Sequence, residues 1–186
     1  MNILAGKLKG KKLAPCKTDS IRPAMALVRK SIFDTLQHFI QNANVLDLCA
    51  GSGVLGIESL SRNAKELTLI DSERESIKLI RKNLELCNVN AKVIHGQLPK
   101  ALNRIKDESF DLIFLDPPYG KSSFIEETLE KLHTNKMLAK EGLILIESEL
   151  KSDYKIPERI TIYREKRFGN TKITFLCNAL SLRGTK

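Results

Sequence analysis

From Asn44 onward, short apolar runs alternate with longer stretches whose apolar residues recur at helical spacing. The runs read as strands over 45–49, 66–70, 91–95 and 110–115, and the stretches between them as helices over 53–62, 73–87 and 98–105. Such alternation predicts a parallel sheet with right-handed crossovers and helices on both faces. A helix around 123–133 and a buried strand, Leu143-Ile144-Leu145-Ile146-Glu147, continue it. The last two candidates, Ile160–Tyr163 and Ile173–Cys177, are separated by the polar stretch REKRFGNTK. That spacing favours a closing antiparallel hairpin over another crossover, which makes a seven-stranded, mostly parallel α/β sheet.

Ahead of this array, Arg22-Pro23 opens a helix from about Ala24 to Phe39, with Met25, Val28, Ile32, Phe33 and Leu36 on one side. Residues 1–20, MNILAGKLKGKKLAPCKTDS, mix short apolar patches, Gly6, Gly10, Pro15 and alternating lysines. They read as an irregular hairpin or extended arm without a core of its own, one that leans on the main domain or orders on a partner. The chain thus divides into an arm over 1–20 and a single domain over 21–186. A length of 186 residues fits that division and leaves no room for a second full domain.

Charge sharpens the picture. Of the formal +9, residues 1–30 carry +7, because Lys7, Lys9, Lys11, Lys12, Lys17, Arg22, Arg29 and Lys30 face a single acid, Asp19. A patch so concentrated resembles an electrostatic footprint for nucleic acid. Lys7, Lys9, Lys11, Lys12, Arg22 and Arg29 are the candidate contacts, the two arginines lying near the start of the first helix. The four cysteines and three histidines are scattered, without metal-ligand spacing, so no metal is expected. No apolar run reaches membrane-spanning length and no signal-peptide core opens the chain, so a soluble, cytoplasmic protein is expected, with no membrane partner.

The candidate chemistry starts at Val45–Gly56, VLDLCAGSGVLG, which reads as strand, tight glycine turn and helix start. That is the crevice-forming unit of a doubly wound sheet, with helix-start N–H groups free to meet a carboxylate or phosphate. Gly51-x-Gly53-x-x-Gly56 also matches the dinucleotide fingerprint, with Asp71 following as a ribose-binding acid would. Asp47, inside the strand, changes that reading: its charge repels a pyrophosphate but suits the ammonium of the methionine part of S-adenosylmethionine (SAM). Asp47 otherwise only braces the loop by hydrogen bonds.

A second motif, Asp116-Pro117-Pro118-Tyr119-Gly120, follows the strand Phe110–Leu115. Strand ends carry the sites in such sheets, so this loop should open onto the same crevice. Its prolines remove two N–H donors and leave carbonyl acceptors, a carboxylate and an aromatic ring. That set suits a flat substrate with an exocyclic amine: Asp116 and the Pro117 carbonyl accept its hydrogens while Tyr119 stacks on the ring. The target base must be unpaired or flipped out.

Taken together, these residues resemble the RsmD type of ribosomal RNA methyltransferase. The likeness runs through Ile3-Leu4-Ala5-Gly6-x-x-x-Gly10, Ile21-Arg22-Pro23, Val28-Arg29-x-x-Ile32-Phe33, the block from Leu46 to Glu58 with Ser61-Arg62, and Phe114–Tyr119. It implies a Rossmann-like class I methyltransferase that uses SAM to methylate a guanine N2 in 16S rRNA, free or within a 30S assembly intermediate, with no obligate protein partner evident. It also implies cofactor contacts at Asp47, Ala50, Gly51, Gly53 and Asp71, with catalysis and base-holding at Asp116, Pro117, Pro118 and Tyr119. Two positions depart from the family pattern. Cys49 stands where relatives often have an aromatic, and Gly96-Gln97 where an acid often meets the adenine amine. Gln97 offers an amide oxygen for that bond, so altered affinity rather than lost function is expected. An adenine-N6 methylase, a noncatalytic RNA-binding module and a nicotinamide dehydrogenase are the competing readings.

Overall fold

The computed structural model describes residues 1–15, 23–118 and 120–179. Its aliphatic runs pair as β1 (Asn44–Leu48), β2 (Glu66–Asp71), β3 (Lys92–His95), β4 (Phe110–Leu115), β5 (Leu138–Glu149), β6 (Ile160–Phe168) and β7 (Thr171–Asn178). They form one sheet in the order β3-β2-β1-β4-β5-β7-β6. The first five strands are parallel, β7 is antiparallel to β5, and β6 is antiparallel to β7.

Both sheet faces are covered, which is why the central strands are apolar at nearly every position rather than at alternate ones. Val45, Leu112, Phe114, Leu143, Leu145 and Phe175 pack beneath α1 (Pro23–Leu36), α2 (Val54–Ser61) and α3 (Arg74–Cys87). Leu46, Leu48, Ile113, Leu115, Ile144 and Ile146 face the other way, onto α4 (Ser122–Thr134) and a short helical turn, Lys100–Ile105.

Besides β5, which was expected over 143–147 and spans Leu138–Glu149, two expected elements differ. The helix expected over 98–105 is a 3₁₀ turn of six residues, Lys100–Ile105, a short segment of the kind in which the tighter i→i+3 ladder occurs. The polar stretch after Tyr163 is mostly strand: β6 continues to Phe168 and β7 starts at Thr171, leaving Gly169-Asn170 as the turn. At the sheet edge the hydrogen-bond ladder, not burial, defines β6, so its exposed residues carry no apolar signature.

The amino-terminal segment folds back on itself and then onto the domain. The N–H groups of Ile3, Gly10 and Leu13 donate to the carbonyls of Lys11, Ile3 and Met1 at 2.8–3.0 Å. Ile3 and Leu13 enter the same core cluster as α1 and α2. Of the two fates read from the sequence, leaning on the domain is therefore the one observed for residues 1–15. The fastening is polar and buried. Glu58 on α2, fully buried, accepts the N–H of Leu4 at 2.7 Å and of Ala5 at 3.0 Å, and pairs with Arg62 Nε at 2.9 Å. Ser61 Oγ accepts the Leu8 N–H and donates to the Ala5 carbonyl. Gly6 crosses this contact at φ +80°, where an added Cβ would collide with the Ser61 carbonyl, so only glycine fits.

Removing Glu58 strands two hairpin N–H groups and an arginine. Glu58→Ala should cost roughly 3–5 kcal/mol in urea denaturation. A loss below about 1 kcal/mol, the scale of an exposed pair, would show that this carboxylate does not hold the hairpin.

Candidate active site

Strand β1 lies between β2 and β4, and its two neighbours are reached by connections on opposite faces of the sheet. At such a switch point the loops diverge and leave a crevice outside the strand ends. Here the two motif loops meet. The backbone N–H of Asp116 donates to the Leu48 carbonyl at 3.4 Å, joining the end of β4 to the end of β1. The chain leaves β1 through Cys49 at φ 60°, Gly51 at φ 55° and Gly53 at φ 74°, the last capping α2.

Two aspartates shape that turn. Asp71, at the end of β2, accepts the Gly51 N–H on one oxygen and the Glu73 N–H on the other, both at 2.8 Å. Each oxygen keeps a further acceptor site. Asp47 is 2 % exposed, and its Oδ2 accepts the Gly56 N–H at 3.0 Å. It lies behind the glycine turn rather than on the cavity wall. Its Oδ2 geometry is that of the bracing role. Burial pushes its carboxyl up to about 7, the Gly56 bond opposes this, and the Asp71 charge adds to it.

In front of the turn is a cavity of about 410 Å³, within the range of small-molecule sites. Asp71, Ser72, Gly96, Gln97 and Leu98 form one wall, Pro118, Lys121, Ser123, Phe124 and Glu127 the other, and Cys49 lies between. The Gly96 N–H donates to the Asp71 carbonyl at 2.9 Å and the Gln97 carbonyl accepts the Ala101 N–H at 2.8 Å, which fixes the loop after β3. The Cys49 thiol is pushed far upward, first by burial and then by the charges of Asp71, Asp116 and Asp47. A neutral thiol thus sits among three carboxylates drawn from three strand ends. Acceptors, a short apolar wall with Phe124, and a volume of this size fit a nucleoside-bearing cofactor. Among the described residues no group of His, Cys, Asp and Glu is arranged to hold a metal ion.

The remaining expected residues fall as follows. Asp116 and Pro118 are exposed and Pro117 is buried; Ala50 and Gly51 are half-buried, with Gly53 buried behind them. Tyr119 and Arg22 lie outside the described residues. Lys7, Lys9, Lys11 and Lys12 are all exposed on the hairpin. Arg29 requires correction: it is 8 % exposed, and its Nη2 donates to the Asn2 carbonyl at 2.7 Å, so it ties α1 to the hairpin instead of meeting phosphate.

Several site residues escaped sequence reasoning. Lys121, Phe124 and Glu127 carried no motif; their helix brings them to the cavity. Asn83, fully buried on α3, donates to the Ser52 carbonyl at 2.9 Å and exchanges bonds with Ala14, linking the glycine turn to the end of the hairpin. Glu147 did carry a signal, an acid closing an aliphatic run just as Asp116 does, and β4 and β5 place the two side by side.

The family model described as Conserved hypothetical protein 95 matches residues 1–177. The chain belongs to this family. It is 35% identical over 171 residues to Ribosomal RNA small subunit methyltransferase D of Escherichia coli K12, covering 91% of this chain and 85% of that one. The solved E. coli protein yhhF, described as a methyltransferase, superposes with a TM-score of 0.84 at 33% identity, covering 96% of this chain and 97% of that one. At 13% identity the fold reaches SMU.776, a methyltransferase structure complexed with SAH, with a TM-score of 0.63 over 81% of this chain and 49% of that one. The family thus carries the Rossmann-like methyltransferase sheet read from the sequence.

The raised carboxyl of Asp47 gives a test. Its ordinary value is 3.8 and its folded value about 7, so the folded chain holds the proton more tightly. Stability from this group is full below about pH 4 and is lost as pH rises towards 7 and beyond. Asp47→Asn keeps an acceptor for Gly56 and removes the titration. Urea unfolding from pH 4 to 8 should show wild type losing up to about 4 kcal/mol relative to the variant. Parallel curves would refute the buried, raised carboxyl.

Proposed function

We propose that this chain is a SAM-dependent methyltransferase acting on the exocyclic N2 amine of a guanine in 16S rRNA, either naked or within a small-subunit assembly intermediate. The observation that carries the reading is the meeting of the two motif loops at one rim, with the Asp116 N–H on the Leu48 carbonyl and a shared cavity between Asp71 and Pro118. Relatives named for small-subunit rRNA methylation support the substrate class. Among the described residues no helix is long and apolar enough to cross a membrane. The RNA substrate puts the work in the cytoplasm.

SAM, when bound, supplies an electrophilic methyl group. The chain's own part is to hold and orient. Asp71 offers acceptors to ribose hydroxyls and Gln97 an amide oxygen to the adenine amine, while the turn Ala50–Gly53 shapes the space for the methionine portion with Asp47 bracing it from behind. An aromatic amine is a weak nucleophile because its lone pair is delocalised. Acceptance of its two hydrogens by Asp116 and the Pro117 carbonyl holds the nitrogen in line with the methyl and favours tetrahedral geometry there. Pro118 keeps that loop rigid, and Tyr119 supplies the stacking face. Lys7, Lys9, Lys11 and Lys12 give the hairpin a cationic surface for RNA phosphates, joined by Arg22 just before α1.

Labelled SAM offered with naked rRNA, small-subunit particles and duplex DNA, followed by nucleoside analysis, tests the assignment. N2-methylguanosine in rRNA is expected; N6-methyladenine would replace this reading with the adenine one. Asp116→Ala should lower kcat by at least about a hundredfold while calorimetric SAM affinity changes little, in keeping with a group acting only in the transition state. Neutralising Lys9, Lys11 and Lys12 together should flatten the salt dependence of RNA binding by up to about 2 in log–log slope. An unaltered slope would remove the hairpin from the RNA contact.

A further inference from the structure

Glu147 is an acidic residue beside Asp116 that the mechanism leaves idle. Leu115 of β4 is paired with Ile146 of β5, so the next residues along these parallel strands, Asp116 and Glu147, are neighbours at the crevice. Adjacent strands lie about 4.8 Å apart, which sets the scale of their separation. Face is fixed from the other side. Glu147 pairs with Ile173, whose side chain belongs with Phe114 and Phe175 in the cluster beneath α1. Lys166 of β6 is the next partner of Ile173, but its ammonium is occupied by Ser31 of α1, donating to Oγ at 2.9 Å and to the carbonyl at 3.2 Å. Lower on β6, Tyr163 stacks edge-on against Phe39 beyond the end of α1. The helix therefore runs antiparallel to β6.

The Glu147 side chain is half-buried, and among the described residues no hydrogen bond or ion pair holds its carboxylate. Burial pushes this carboxyl upward, with no donor to offset the cost. An idle acceptor beside the group that grips an amine implies a ligand with two neighbouring N–H sites.

We propose that Glu147 is a specificity residue that accepts the N1–H of the target guanine while Asp116 and the Pro117 carbonyl hold its N2 amine. This rests on the guanine-N2 reading above and adds to it the origin of base choice. Guanine presents N1–H directly beside its exocyclic amine. Adenine presents a lone pair at N1 beside its amine, and that lone pair meets a carboxylate as acceptor against acceptor. A site built to accept a substrate N–H rejects the analogue lacking it because its own buried acceptor is left unpaired.

2-Aminopurine probes this contact, since it retains the 2-amine but carries no hydrogen on N1; it also lacks O6, so the contact is read from how Glu147→Gln changes the preference between the two bases. RNA with guanine or 2-aminopurine at the mapped acceptor position is offered to wild type and to Glu147→Gln, and kcat/KM is measured for each pair. Wild type should favour guanine by roughly 5- to 150-fold, the range for a well-formed base contact. Glu147→Gln should weaken turnover of guanine and improve that of 2-aminopurine, because its amide N–H donates to the bare N1; the ratio should fall at least about tenfold. SAM affinity, read by calorimetry, should stay within about twofold, since Glu147 lies away from the cofactor wall. Equal use of both bases by wild type overturns the proposal even if the variant does not fold. A variant that slows both bases alike, with the ratio unchanged, reduces Glu147 to a structural residue. Absence of any methyl on guanine N2 in the wild-type reaction is a different result, which removes the guanine-N2 reading and this proposal with it.

Discussion

Everything in this molecule depends on the placement of β1 between two strands whose connections pass over opposite faces of the sheet. Parallel strands with right-handed crossovers impose this wherever strand order reverses, and the loops can only diverge there. The gap so made leaves backbone groups at the strand ends open to a ligand. The sequence fills it with acids on short apolar strands: Asp47 within β1, Asp71 ending β2, Asp116 just after β4 and Glu147 near the end of β5. Each carboxylate is given a separate task by its surroundings. Asp47 is sealed in and braces, Asp71 is bonded yet open, and Asp116 is exposed at the rim.

The hairpin adds a second level of organisation. A basic segment of fifteen described residues could hang loosely, but buried polar groups hold it. Glu58 and Ser61 take its backbone N–H groups, and Asn83 joins its last residues to Ser52 in the glycine turn. Buried polar networks of this sort are costly unless complete, and completeness fixes one geometry. The lysines that give the surface its charge are therefore carried on a platform fastened to the helices that frame the glycine turn. The hairpin and the glycine turn thus share one support.

Much of this was legible beforehand. The central strands β1, β2 and β4 were readable because both faces are buried and the runs are nearly all apolar. The glycine turn and Asp116-Pro117-Pro118 were readable because backbone chemistry restricts which residues can stand there. What escaped has equally physical causes. The length of β6 was hidden by its edge position, where polar side chains face water and only the ladder marks a strand. Arg29 read as a surface cation because its burial depends on Asn2, a partner remote in sequence. Asn83 and the α4 wall of the cavity depend on contacts that no local pattern records. Asp47 was placed correctly on its strand, but only the fold decides between facing a ligand and bracing the turn.

The central claim is that one crevice holds both reactants, the methyl donor against the β2 and β3 ends and the base against Asp116. A crystal structure with S-adenosylhomocysteine and a guanosine-containing RNA fragment tests it most directly. The account predicts the cofactor sulfur directed at the guanine N2 across a gap that a single methyl fills, with the adenosine between Asp71 and Gln97. A cofactor seated elsewhere, or one whose sulfur faces away from Asp116, would contradict it.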